Sequence, residues 1–305
     1  MSASQDSDHL VGRLSRPRLD AALARVCGRV GLDPAGAELI KFTNNAVFRL
    51  RDQPFVVRVA GSATMRDRAD KVVRVARWLA ERGLPAVRLL AGIPQPVRVD
   101  GHVATVWQAV PSTDRTPNGI DLGKILRRWH AIDGELPDLP DWRPTQSIRS
   151  RLADAEGLNP DDAAFLAGTC DDVEASLAGV RYVLPSGPIH GDATVANLIP
   201  GPDGPVIGDF DGAAIGPREW DLTPVATGHL RFVHRTDNQA MLAASYGFDV
   251  TTWAGFPVLR RLRELQLVAS VVPVLRSNPG LYEQWRYRLR TFRDGPADAR
   301  WELYR

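Results

Sequence analysis

Residues 188–222 read PIHGDATVANLIPGPDGPVIGDFDGAAIGPREWDL, and the rest of the chain is best understood from this stretch outward. Asp192, Asn197 five positions later, and Asp209 beyond a short apolar–turn–apolar run are side chains that offer hard oxygen atoms. Leu198-Ile199 and Val206-Ile207 are apolar pairs, and Gly201-Pro202-Asp203-Gly204 between them is strong turn chemistry, so a hairpin is expected. Such a hairpin returns Asp209 towards Asn197, where both could serve one hard cation.

The spacing His190-x-Asp192-x4-Asn197 is that of a kinase catalytic loop, in which the Asp acts as base and the Asn as metal ligand. Transfer of a phosphoryl group from ATP needs both functions, together with ligands for the magnesium that bridges the phosphates. His190-Gly191-Asp192, Asn197, Asp209-Phe210-Asp211 and Gly216-Pro217-Arg218-Glu219-Trp220-Asp221-Leu222 resemble the aminoglycoside phosphotransferase and choline kinase-like family. The strong resemblance covers about residues 187–226. It implies an α+β, bilobal protein-kinase-like fold, with a small antiparallel-sheet N-lobe, a larger mostly helical C-lobe, and a small-molecule acceptor. The expected division is a disordered tail at 1–15, an N-lobe at 16–107 that covers the nucleotide, and a C-lobe at 108–305 that carries catalysis and acceptor binding.

Composition bounds the alternatives. Of 305 residues, 44% are hydrophobic and 24% charged, which is ordinary for a globular protein. A net charge of +2 gives no reason to invoke nucleic acid or an anionic membrane. The two cysteines, Cys27 and Cys170, lie far apart and form no metal-type spacing. The first residues lack the basic and apolar regions of a signal peptide, and the apolar stretch at 265–275 is too short and interrupted to span a bilayer. The expectation is a cytoplasmic protein with free thiols; oligomeric state is not legible.

Towards the N-terminus, Pro17 opens a helix with Leu19, Leu23, Val26 and Val30 on one face. Strands are expected at 41–50, 54–60, 87–91, 96–99 and 102–107, the last two joined by a tight Asp100-Gly101 turn. Asn44 and Asn45 lie where a kinase carries its phosphate-covering loop; they can donate to phosphate or simply turn a hairpin. Arg58 in Val56-Val57-Arg58-Val59 occupies the place of the phosphate-contacting strand lysine, or is an outward strand residue. A helix at 66–82 follows, and where a glutamate is expected it has Val72 with Asp70 and Lys71 beside it; Asp70 is a candidate partner for Arg58. The resemblance makes Trp107–Ser112 the interlobe hinge, so that backbone groups of Gln108 and Val110 would bind adenine.

Beyond the hinge the reading is helical, near 122–129, 160–177, 222–232, 236–245, 255–276 and 280–293. His130 reads as a packed structural histidine. His190 is expected to support the loop through hydrogen bonds, Asp211 to be a second metal ligand or a solvated neighbour, and Asp221 to brace the loop or serve as a helix N-terminal carboxylate. Only eleven residues separate Asp209 from Asp221, which leaves no platform for a peptide substrate and argues against a protein kinase. A non-catalytic nucleotide-binding pseudokinase and an aminoglycoside antibiotic kinase are the alternatives to a general ATP- and magnesium-dependent small-molecule O-phosphotransferase. From Leu222 onward twelve arginines face seven acids, the wrong balance for a polycationic acceptor, although residues 112–180 carry thirteen acids against seven bases.

Overall fold

The computed structural model describes residues 16–42, 45–111, 113–155, 157–276, 278–296 and 298–304, so the tail at 1–15 and Asn44 lie outside the described residues. The chain divides into two compact units: Met1–Thr116 with Asp133–Leu139 and Leu198–Ala213, and Pro117–Ile132 with Pro140–Asn197 and Ala214–Arg305. The segment that contains Asp209 thus groups with the N-terminal unit, although it lies well past residue 107.

The first unit is built on a five-stranded antiparallel sheet. Its strands β1 (Glu38–Phe42), β2 (Asn45–Arg49), β3 (Phe55–Ala60), β4 (Val97–Val99) and β5 (His102–Gln108) stand in the order β1-β2-β3-β5-β4. Alternation along β3 sends Val57 and Val59 to one face and Arg58 to the other. Helix α1 (Arg16–Val30) covers the first face, packing Leu19, Leu23 and Val26 with Phe48, Val57 and Val106. Helix α2 (Ala63–Glu81) lies against the second, where Met65, Ala69 and Val72 line a crevice with Arg58 and Thr105. Asp100 and Gly101, at φ 46° and 77°, make the tight β4–β5 turn that the sequence predicts.

The hairpin read from Leu198-Ile199 and Val206-Ile207 is present as strands β7 (Leu198–Ile199) and β8 (Val206–Ile207). Residues 87–91, expected as a strand, do not form one. That segment divides its backbone between two partners: Val87 donates to Ile207 O at 3.0 Å, while Leu90 donates to Val106 O at 2.8 Å. Only isolated bridges result, at Ala86–Ile207 and Leu89–Trp107.

The second unit is mainly helical: α3 (Gly119–His130), α4 (Gln146–Ala153), α5 (Pro160–Ala178), α6 (Glu219–Arg231), α7 (Asn238–Tyr246), α8 (Phe256–Ala269) and α9 (Tyr282–Arg293). A two-stranded pair, β6 (Ser186–Ile189) with β9 (Ala214–Pro217), joins them. Helix α8 is the axis of this core: Leu259, Leu262, Leu265 and Val268, spaced three apart, are fully buried against α5 and α9. Each such side chain contributes about 1.5–3 kcal/mol of burial. The helix expected to run to 276 stops at Ala269, because Pro273 has no N–H to continue it and a 3-10 turn at Val272–Val274 takes over. Short α4 and β6 have no periodic pattern long enough to have been foreseen. Among the described residues no helix is long and apolar enough to cross a membrane.

Helix α3 starts on a capping box: the Asn118 side chain accepts from Asp121 N, and the Asp121 carboxylate accepts from Asn118 N. It then packs closely on α7 through Gly119 and Gly123. A Cβ on Gly119 would collide with the backbone carbonyl of Asn238, and one on Gly123 would press on Ser245. Gly119→Ala is therefore expected to cost about 1–3 kcal/mol of stability by forcing the helices apart, read as a lowered denaturation midpoint in urea.

Candidate active site

In the second unit, β6 delivers the chain to His190, which is fully buried. The next residue, Gly191, has φ 83°, a conformation that a side chain would strain. The turn is held from below by the Asp221 carboxylate, itself fully buried. One oxygen, Oδ1, accepts from Gly191 N at 2.8 Å; the other, Oδ2, accepts from His190 N at 2.7 Å and lies 3.0 Å from His130 Nε2. Trp220 Nε1 donates to Gly191 O at 2.9 Å, and the His190 ring packs edge-on to Trp129 while its Nδ1 accepts from Asp192 N at 3.3 Å. Asp221 and His190 thus hold the loop through hydrogen bonds.

This frame presents the Asp192 side chain, which is 45% exposed. The Asn197 amide donates to Asp192 O at 2.8 Å and fixes the two residues' backbone relation. Asp192 Oδ1 lies 2.8 Å from Arg263 Nη2, an ion pair whose approach is off the hydrogen-bond axis. His130 is more than a packed histidine: it joins Asp221 to Tyr246, whose Oη lies 2.8 Å from its Nδ1. Glu219, also buried, accepts from Val183 N and Leu184 N at 2.7 and 2.8 Å and anchors the approach to β6.

In the first unit, Arg58 gathers the other charged groups. Its Nη2 lies 3.2 Å from Asp209 Oδ1 and is also paired with Asp211. Asp70 is not its partner, because its register on α2 directs it to Arg98 instead, at 2.6 Å. Asn45, at the start of β2, is buried, and with its amide oxygen turned to Arg58 it accepts from Nη2 at 2.6 Å. Asp209 has φ 66° and ψ 61°, the left-handed region that costs a non-glycine residue roughly 1–2 kcal/mol. Burial pushes its carboxyl up to about 6, against the pull of Arg58 and with Asp211 adding to the rise. Burial opposes the Asp211 charge as well, but Arg58 and a hydrogen bond with Asp209 outweigh it and hold that carboxyl below its ordinary range. With 17% of its side chain exposed, Asp211 is no solvated neighbour.

Where the sequence lacks a helix glutamate, α2 supplies a lysine. Lys71 Nζ donates to Asp211 O at 2.7 Å and Ala213 O at 2.9 Å, tying the turn after Asp209 to the helix. Burial, reinforced by Arg68, lowers the amine to about 8, although Asp211 favours its charge. Lys41 Nζ lies 4.0 Å from Asp209 Oδ2. A signal for both was available in the sequence. Only three of the 38 basic residues are lysines, at 41, 71 and 124, and two of the three meet the Asp209–Asp211 turn. His130 and Glu219 gave no comparable local signal. At the segment expected to be the hinge, Gln108 N donates to Arg88 O at 2.8 Å, and Val110 lies against the Gly201 turn.

The residues fit a hard cation of modest demand. Asp209 and Asp211 of the first unit offer carboxylate oxygens, and among the described residues no cluster of three or more His, Cys, Asp or Glu is preassembled for a metal. Magnesium is commonly held by one or two carboxylates and completed by phosphate oxygens and water.

Comparison with known proteins gives this arrangement a family. A model described as the phosphotransferase enzyme family matches residues 40–265. No curated protein matches the chain in sequence. Among solved structures, the chain is similar to the amicoumacin kinase hAmiN in complex with AMP-PNP, Ca2+ and Ami, at 13% identity over 98% of each chain and a TM-score of 0.67. It is also similar to a choline/ethanolamine kinase family protein from Mesorhizobium loti, at 16% identity over 91% of this chain and 95% of that one, with a TM-score of 0.62. A microcompartment-associated aminopropanol kinase shares 17% identity over 92% and 97% of the two chains, at a TM-score of 0.60. The fold is the bilobal, protein-kinase-like α+β fold of these structures. The chain belongs to the phosphotransferase enzyme family, matched over more than half its length, and is a small-molecule kinase.

Two outcomes are expected from this geometry. Asp221→Asn places an amide N–H against donors in a buried site, so it should lower stability by about 1–3 kcal/mol and release the His190 and Gly191 amides to hydrogen exchange. For Lys71, folding lowers the amine's proton affinity, so the unfolded chain binds more protons between about 8 and the ordinary lysine value of 10.5. Stability should therefore rise with pH across that window, and Lys71→Met should flatten the rise in paired denaturation curves.

Proposed function

We infer that the protein transfers the terminal phosphoryl group of ATP, in a magnesium-dependent reaction, to a hydroxyl of a small molecule. The observation that carries this reading is Asp192: a carboxylate held on a rigid, Asp221-braced turn with nearly half of its side chain exposed. In this role Asp192 orients the acceptor hydroxyl and accepts its proton. Asn197 and Asp209 are assigned as magnesium ligands, with Asp211 in support; bound there, the ion supplies charge neutralisation at the phosphate oxygens.

Arg58 is assigned to the nucleotide phosphates, and Asn45 to fixing its guanidinium, with Asn44 as a further phosphate contact. Because the Gln108 N–H is already donated to Arg88, recognition of adenine falls to the Gln108 carbonyl and the backbone of Val110. Residues 16–107 would then serve the nucleotide and residues 108–305 chiefly the acceptor. The similar amicoumacin kinase was solved with AMP-PNP and Ca2+, which supports a nucleotide and a divalent cation here. The reaction is placed in the cytoplasm, where ATP is available.

Acceptor charge is the finer question, since the fold does not choose among hydroxyl compounds. Binding a polycation requires surplus carboxylate, whereas the Asp192 charge is already met by Arg263. A neutral or weakly charged alcohol, sugar or nucleoside is therefore favoured over a polycationic aminoglycoside. The experiment is Mg-ATP turnover against neutral sugars, nucleosides, amino alcohols and kanamycin-type aminoglycosides, with wild type and Asp192→Asn. Turnover of an uncharged or weakly charged acceptor is expected, falling by about 10²–10⁴-fold in the variant with ATP affinity retained. Near-wild-type turnover in Asp192→Asn would remove that carboxylate from the chemistry, and efficient turnover of the polycations alone would reverse the acceptor assignment.

A further inference from the structure

Helix α8 carries Arg260, Arg261, Arg263 and Glu264 within five positions. Glu264 is buried and accepts from Arg231 Nε at 2.8 Å and Arg260 Nε at 2.7 Å. Arg261 is directed elsewhere, donating to Phe292 O at 2.6 Å. Arg263 faces Asp192: Nη2 lies 2.8 Å from Oδ1, while Nη1 donates to the Gln266 amide oxygen at 3.1 Å. Its side chain is 14% exposed, and its Nε is buried with no hydrogen-bond partner. Arg263 is thus a largely desolvated cation balanced by the Asp192 carboxylate, with one prong of its planar fork unfilled.

The acceptor chemistry changes that balance. In the transfer, the acceptor O–H bond breaks and its proton passes to the Asp192 carboxylate. The freed oxygen forms a bond to phosphorus as the bond from phosphorus to the ADP oxygen breaks, and that electron pair leaves with ADP. Asp192 is then neutral. Arg263 has lost its counter-charge, and an uncompensated buried cation is strongly unfavourable. The new negative charge nearest to it is the phosphoryl group, now bonded to the oxygen that Asp192 had been holding. A guanidinium matches phosphate oxygens in both charge and geometry, and Nη2 is the donor that the Asp192 carboxylate releases.

We propose that Arg263 is the seat for the transferred phosphoryl group on the acceptor side, exchanging the Asp192 carboxylate for phosphate as the proton arrives. This rests on the reading of Asp192 as proton acceptor. A narrower role, in which Arg263 merely fixes the Asp192 side chain, predicts no anion site. The two are separated by titrating inorganic phosphate into the full chain without nucleotide or metal, followed by calorimetry.

Asp192→Asn has the shape and charge of the protonated base and should bind phosphate about tenfold or more tightly than wild type, a gain of about 1.4 kcal/mol. The double variant Asp192→Asn with Arg263→Gln should lose that gain, and Asp192→Asn with Arg263→Lys, which keeps the charge in place, should retain part of it. Thermal unfolding of each variant establishes that the comparison is between folded proteins. No gain in Asp192→Asn, or an equal gain in both double variants, would overturn the inference; the latter would place the phosphate elsewhere. Failure of the underlying reading looks different, because acceptor phosphorylation would then survive Asp192→Asn whatever the anion titration gives.

Discussion

The buried Asp221 carboxylate is the contact on which the turn carrying Asp192 depends. It receives the N–H groups of His190 and Gly191 and approaches the His130 ring, so three groups from two distant segments meet on one charge. Hydrogen bonds to a charged group are worth about 1.5–3 kcal/mol each, and leaving such donors unmet in the interior costs a similar amount. The left-handed Gly191 and the half-exposed Asp192 are consequences, since these contacts fix the backbone that carries the Asp192 side chain. Rigid support beneath an exposed carboxylate is what a reaction dominated by positioning requires.

The first unit solves a different problem, that of keeping two acidic side chains close together under partial burial. Arg58 contacts both Asp209 and Asp211, and Asn45 fixes the guanidinium. Lys71 then fastens the turn that follows through the Asp211 and Ala213 carbonyls. A glutamate on α2 would add a third negative charge to this cluster. A lysine in that position acts in the opposite sense, and the absence of the expected glutamate is a redistribution of charge. The left-handed Asp209 is held by these contacts, as a strained backbone persists only where its surroundings over-determine it.

Helix α8 links stability to chemistry within the second unit. One face supplies the Leu259–Leu262–Leu265 core, and the helix also carries Arg260, paired with buried Glu264, and Arg263, paired with half-exposed Asp192. A residue of this helix therefore reaches the Asp192 carboxylate from a position that is rigid because its neighbours are buried. That is a sound way to place a charge, since a desolvated guanidinium on a packed helix has little freedom to reorganise.

The local features of the protein were determined by its sequence alone. Turn chemistry at Gly201–Gly204 set the hairpin, Asp100-Gly101 set the β4–β5 turn, and the apolar spacing of Leu259, Leu262, Leu265 and Val268 set α8. The spacing of His190, Asp192 and Asn197 pointed to the chemistry, because those residues lie close together along the chain. Tertiary structure decided the pairings between residues far apart in sequence. Arg58 meets Asp209 and Asp211, and Asp70 does not take that place, because α2 docks in a register that turns Asp70 to Arg98. His130 and Asp221 are 91 positions apart, and Arg263 and Asp192 are brought together only by the packing of α8. Periodicity and spacing report what one segment does to itself; which charge faces which across a core is fixed only when helices and sheets dock, since desolvation and distance then choose among many candidate partners.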